Sequence, residues 1–236
     1  CADFFIKMVN RGQKIEDEDL RSMANDIVAN VERASGVIKH VRDFARQSEP
    51  VRSRVKINDP INDVFKVLGH QLKVHEVEVE LDLDPDIPDI LAEHNRLEQV
   101  FINLVSNAID AMDEKDSRPE CQNDERVLAI TSFSQNGRVN VHVSDTGVGM
   151  DEATRDHLFE PFFTTKGEEG TGLGLAQVYG IVRQHEGHIG LETQPGQGTT
   201  FRVYLPACSA GETNAALRGM SVAPRGKGET ILFVED

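Results

Sequence analysis

The run HNRLEQVFINLVSNAIDAM, His94 to Met112, decides how the rest of the chain is read. Leu97, Phe101, Leu104, Val105, Ala108 and Ile109 recur at helical spacing and define one apolar side. That pattern predicts a helix over 94–112 packed on a core. Asn103 and Asn107 stand four residues apart and so point the same way, with Asp110 about one turn further towards the same side. An isolated Asn-x-x-x-Asn is ordinarily a helix surface. Among apolar neighbours, however, unpaired amides are costly. An amide carbonyl is also a hard oxygen ligand of the kind that suits magnesium. The choice between the two readings lies downstream.

Strands are predicted over 127–133 and 139–144, and Asp145-Thr146-Gly147-Val148-Gly149 follows the second directly. Gly147 and Gly149 let backbone approach a flat ligand, and a carboxylate at a strand end can accept from adenine's exocyclic amine. Alone, Asp-x-Gly-x-Gly also fits many tight turns. A second cluster, Gly170-Thr171-Gly172-Leu173-Gly174-Leu175, leads straight into a helix predicted over 173–185. Successive backbone N–H groups at such a start form a nest for an anion. The flanks are not a βαβ unit, so a dinucleotide fold is a poor match, and no Gly-Lys-Ser/Thr phosphate loop is present. Phe159-Glu160-Pro161-Phe162-Phe163-Thr164-Thr165-Lys166 lies between the clusters. Its rings read as a small satellite core that anchors a lid. Lys166 stands either as a charge for the terminal phosphates or as a solvated lysine.

Towards the N-terminus, residues 84–88 form a polar connector, and Val77, Val79, Leu81 and Leu83 alternate like a half-buried strand. A helix is predicted over 61–74 and a short strand over 55–57. Closing strands are predicted over 188–192 and 199–205. Helices segregated from antiparallel strands predict a two-layer α/β sandwich over residues 51–206. Residues 1–50 have another rhythm. Leu20, Ile27, Ala34 and Val41 repeat every seven residues, with two further tracks beside them, up to the stop at Pro50. So wide a stripe needs more cover than one helical hairpin gives, which favours dimerisation into a four-helix bundle. The alternative is packing on the chain's own domain. Residues 207–228 read as a Gly/Ala/Ser-rich linker, and 229–236 as one strand of a further domain.

The 236 residues carry 25 basic and 40 acidic side chains, a formal charge of -15, which argues against a nucleic-acid partner. Phosphate binding needs only a local donor set and is not excluded. No run is long enough to cross a bilayer, and no secretory leader is recognisable at the start. Cys1, Cys121 and Cys208 suggest neither a zinc site nor a disulfide framework. The expected location is the cytosol.

In this order the motifs resemble those of the sensor histidine kinases of two-component signalling, within the superfamily shared with gyrase, MutL and Hsp90. Residues 103–108 resemble the N box, 145–149 the first glycine box, 159–163 the F box and 170–174 the second glycine box. Gly196, Gly198, Thr199 and Phe201 match the closing Gly-x-Gly-Thr-x-Phe. The resemblance implies a kinase that uses ATP and Mg²⁺. Asn107 would be the magnesium ligand, Asp145 the adenine reader and Thr199 a neighbour of the base. Asn103 would lie on the phosphate side. Residues 20–47 resemble the second helix of the dimerisation and phosphoacceptor domain, which implies a homodimer. The acceptor histidine expected on the first helix is not found, and His40 matches no family position. The expectation is a chain that starts partway along that helix, binds ATP and does not phosphorylate itself. Glu235 and Asp236 resemble the acidic pair of a receiver domain, which implies a hybrid kinase and a response-regulator receiver as partner.

Relatives that hydrolyse ATP place a glutamate one turn before the magnesium-binding asparagine. Asn103 occupies that place and has no useful basicity, which favours a kinase over an ATPase. A scaffold that binds ATP without turnover is the remaining alternative.

Overall fold

Sequential strands in this chain do not simply pair with one another. The computed structural model describes residues 52–117, 124–167 and 170–208. In chain order the elements are β1 (Ser53–Val55), α1 (Asn58–Val74), β2 (Glu78–Leu83), β3 (Ile90–Ala92), α2 (His94–Asp116), β4 (Val127–Gln135), β5 (Arg138–Asp145), α3 (Glu152–His157), α4 (Gly174–Gln184), β6 (His188–Gln194) and β7 (Gly198–Pro206). Five strands form one sheet in the order β2-β4-β5-β7-β6, and β1 pairs with β3 as a separate ribbon.

The expected α/β sandwich is present, with one correction to its sheet. β2 pairs parallel to β4, Leu81 opposite Ile130, whereas the other pairs are antiparallel. A parallel neighbour needs a crossover, and α2 lies between the two strands in the chain. The core lies between the helices and one sheet face. α2 contributes Leu97, Val100, Phe101, Leu104, Val105, Ala108, Ile109 and Met112, all buried, which confirms the apolar side read from its spacing. Leu128, Ile130, Val141, Val143, Phe201 and Val203 meet it from the sheet. On the opposite face Thr131, His142 and Arg202 lie in register across three strands and are only partly covered.

Other boundaries differ for local reasons. The first strand sits at 53–55 instead of 55–57, because Ile57 is buried at the start of α1. Asn58 then begins the helix, with Nδ2 donating to Asp84 O at 2.8 Å and Oδ1 accepting from Ser132 Oγ at 2.7 Å. The polar connector contains Ile87, which is buried, and runs into β3, a strand of three residues that shows no period. α3 has no buried residue and therefore no apolar pattern; it is marked by Asp151, whose carboxylate accepts from Thr154 N at 2.8 Å. His185, buried at the end of α4, donates Nδ1–H to Ile181 O at 2.8 Å and accepts from Glu93 N through Nε2 at 3.1 Å. It ties α4 to the start of α2.

The expectations for residues 1–50, His40, the dimer helices and 229–236 lie outside the described residues. Of the expected linker only 207–208 are described: Ala207 bridges Ile90, and Cys208 N donates to Asp89 O at 2.7 Å. No helix of the described residues is long and apolar enough to cross a membrane.

Candidate functional site

With one side of α2 committed to the core, Asn103, Asn107 and Asp110 fall on the adjoining side. All three line a cavity of about 560 Å³, within the usual range for a small-molecule site. Opposite them stand Gly149 and Thr199 from the sheet ends and Lys166, Gly170, Thr171, Gly172, Gly174 and Leu175 from the segment before and into α4. The expected site residues are thus brought together, except that Asp145, Gly147 and Leu173 do not line the cavity themselves.

Asp145 stands behind the wall at the sheet end. Its Oδ1 accepts from Gly147 N at 2.9 Å and from Thr199 N at 3.2 Å. Burial pushes its carboxyl up to about 6, against the opposing pull of those two amides and of the Lys115 charge. Lys115 also donates to Thr146 O at 2.9 Å, which holds the turn after β5 against the end of α2. Gly149 has φ +65°, and a Cβ there would stand 2.0 Å from Gln194 O. No other residue fits that position. Thr199 Oγ1 is 3.0 Å from Thr193 Oγ1, which in turn accepts from Met150 N at 2.9 Å. This end is hydrogen-bonded before any ligand arrives.

At the other end, α4 starts at Gly174 with no side-chain cap on its N-terminus. Its first amides are therefore available to an anion. Gly172 has φ +64°, and a Cβ there would meet Phe162 C at 2.4 Å, while Phe162 N donates to Gly172 O at 2.9 Å. Phe162 itself has φ +69° and is 71 % exposed. The three phenylalanines therefore do not form one satellite core. Phe159 packs near Tyr179 with ring centroids 5.3 Å apart, Phe163 faces His157 at 5.8 Å and lines the cavity, and Phe162 points outward.

Lys166 is neither a plain solvated lysine nor free. Its Nζ donates to Asn107 Oδ1 at 3.2 Å and to Asp110 Oδ2 at 2.5 Å. Two hard oxygens on α2 thus converge on one cation. The donor set fits magnesium, which accepts an amide and a carboxylate and keeps its other positions for water or phosphate. No group of three His, Cys, Asp or Glu among the described residues could hold a metal alone. Among the described residues, Asp110, Glu114 and Asp151 line the cavity with Lys166 as the one basic side chain. A polyanion entering such surroundings needs a cation brought with it.

Asn103 is committed differently. Its Nδ2 donates to Gly174 O at 3.3 Å and to Gln177 Oε1 at 3.2 Å, joining α2 to the first turn of α4. Gln177, Lys115 and Thr193 were not identified from the sequence. Only Thr193 had a signal available, its position opposite Thr199 across the β6–β7 hairpin.

The family model for histidine kinase-, DNA gyrase B- and HSP90-like ATPases matches residues 92–209. Sporulation kinase E of Bacillus subtilis is 35% identical over 182 residues, covering 77% of this chain and 23% of that protein. The sensor histidine kinase ZraS of Escherichia coli K12 is 30% identical over 188 residues, covering 80% and 38% respectively. This chain thus spans 23% to 38% of the length of these curated relatives. Among solved structures, the nucleotide-free catalytic domain of the histidine kinase ThkA superposes with a TM-score of 0.56 at 29% identity, over 66% of this chain and 95% of that one.

Proposed function

The chain belongs to the histidine kinase-, DNA gyrase B- and HSP90-like ATPase family, with a histidine-kinase catalytic domain, and from that membership we propose that it binds Mg·ATP and passes the γ-phosphoryl group to a histidine. The observation that carries this reading is the convergence of Asn107 Oδ1 and Asp110 Oδ2 on one cation, beside the uncapped start of α4. In this reading the adenine amine donates to Asp145 beside Thr199, and the phosphates lie along 170–175. Asn107 is the metal ligand, with Asp110 close by. Magnesium held there supplies neutralising charge to the triphosphate tail.

The chain's own part is positioning. The Gly170–Gly174 amides orient the tail, and Lys166 exchanges its bonds to α2 for bonds to phosphate oxygens as the ligand enters. Transfer of a phosphoryl group through a loose transition state asks for alignment and charge stabilisation more than for covalent help. A neutral imidazole supplies the electron pair, the bond to the β-γ bridging oxygen breaks, and ADP leaves. No histidine of the described residues lines the cavity, so the acceptor has to be presented from elsewhere. Asn103 supports transfer over hydrolysis. It holds the place of a general base, yet its nitrogen is spent on Gly174 and Gln177 and its amide takes no proton from water. A homodimer and relay to a receiver aspartate complete the proposal.

The test uses γ-labelled ATP with and without a separate segment bearing a histidine followed by an acidic residue. Acid-labile label on the added segment, and none on this chain alone, is the expected result. Steady phosphate release by this chain alone would favour an ATPase. Nucleotide binding with neither outcome would favour a scaffold.

A further inference from the structure

Two acceptors on α4 hold the Asn103 amide in one orientation. A peptide carbonyl can accept but not donate, so the atom 3.3 Å from Gly174 O has to be the nitrogen. The same nitrogen meets Gln177 Oε1 at 3.2 Å. With both donor bonds turned to α4, Oδ1 is the atom left for the cavity that Asn103 lines. Gln177 does not line the cavity. It lies in the first turn of α4, its own N–H donating to Leu173 O at 2.9 Å, and its side chain reaches across to α2.

We propose that Gln177 is a positioning residue whose side-chain oxygen holds the Asn103 amide with its carbonyl towards the phosphates and their metal. The proposal rests on the Mg·ATP reading above. Its physical content is a choice of rotamer. With Gly174 O as its single fixed partner, the amide keeps one bond. A donor at position 177 would compete with Gly174 O for the amide, drawing its oxygen towards α4 and, in the molecules that turn, its NH₂ into the cavity. There an NH₂ group would face a cation and lose the only useful contact Asn103 can make. The clamp also fixes where the first amides of α4 stand relative to Asn107, because Gly174 and Gln177 both belong to that turn. One glutamine thereby sets the register between the two halves of the phosphate site.

Three substitutions separate this role from simpler ones. Gln177→Glu keeps an acceptor and adds negative charge; Gln177→Leu removes the acceptor at similar size; Gln177→Lys offers only donors and adds positive charge. Calorimetry with Mg·ATP and with adenosine, on the whole chain, reads the result. Gln177→Glu is expected to bind Mg·ATP within about twofold of the native chain, and Gln177→Leu about threefold to tenfold more weakly, the size of one net hydrogen bond. Gln177→Lys is expected to bind more weakly still, although its charge would attract a polyanion. Adenosine binding is expected to stay unchanged in all three. The Asn103 side-chain NH₂ protons, followed by NMR without ligand, are expected to exchange slowly in the native chain and in Gln177→Glu, and quickly in Gln177→Leu. Tightest binding by Gln177→Lys and weakest by Gln177→Glu would mean plain electrostatics and overturn the proposal. Equal losses in all three with a lowered melting temperature would mean packing alone and overturn it as well. Failure of the native chain to bind Mg·ATP would instead remove the parent reading, and this one with it.

Discussion

At the sheet end of the cavity Asp145, Gly149 and Thr199 are held by β5, β6 and β7, whereas at the α4 end Phe162 and Gly172 hold one another and Lys166 leans on α2. In the first group Thr199 is buried and Asp145 and Gly149 are half-buried, and its hydrogen bonds are made within the protein. The second includes an aromatic ring 71 % exposed and a lysine that borrows two oxygens from α2. The difference divides the work of binding. On the proposed function the base would enter a preformed slot, whose cost is a desolvated carboxylate. The phosphates would enter a site that must first give up a bond, so on that proposal the α4 end would adjust to its ligand.

The sharpest way to break that contrast is to disturb the rigid end. Gly149→Ala places a Cβ 2.0 Å from a carbonyl oxygen at φ +65°, with no soft side chain to yield. A loss of about 3 kcal/mol in stability is expected, with loss of nucleotide binding, read by chemical denaturation and calorimetry. The matched change at the other end, Gly174→Ala, meets nothing closer than 3.9 Å and is expected to cost little stability. Similar losses at both positions would erase the contrast.

Asp145→Asn is expected to act in two directions. It places an NH₂ group or a weaker acceptor against the base and should lower ATP affinity about 30-fold, the cost of a mismatched buried polar pair. Without ligand it should stabilise. The native carboxyl sits at about 6, above the ordinary value of 3.8, so the folded chain holds its proton more tightly than the unfolded one. Stability from this group therefore falls as pH rises through that window. Above pH 6 the variant is expected to gain up to ~3 kcal/mol, and at low pH almost nothing, a difference that melting curves across pH would reveal.

Asn107→Ala leaves the cation without its amide oxygen. About tenfold weaker binding of Mg·ATP is expected, with adenosine unaffected, as calorimetry in the presence and absence of magnesium would show. Smallest is Lys166→Met, expected to weaken ATP by only about threefold, because the lost phosphate contact is offset by bonds no longer broken on α2. An increase in affinity would identify Lys166 chiefly as a plug.

The same division governs what the sequence made legible. α2 was readable because its apolar residues, Leu97 to Met112, repeat over about four turns, and the Asn103, Asn107 and Asp110 side followed from that period. The two glycine clusters were readable because turn chemistry is local. The parallel pairing of β2 with β4 was not, since nothing within either strand records which neighbour lies beside it. β3 is too short to show a period and α3 buries nothing. Lys115 and Gln177 belong to no motif, and each acts through a contact across elements. The rings at 159–163 were identified as a group, but their three separate destinations depend on packing that only the folded chain reveals.

The central claim is most directly tested by a crystal structure with magnesium and a non-hydrolysable ATP analogue. The expected result places the metal on Asn107 Oδ1, the adenine amine on Asp145, the phosphates on the first amides of α4, and Lys166 withdrawn from Asp110. A triphosphate bound elsewhere, or a metal with no contact to Asn107, would contradict the account.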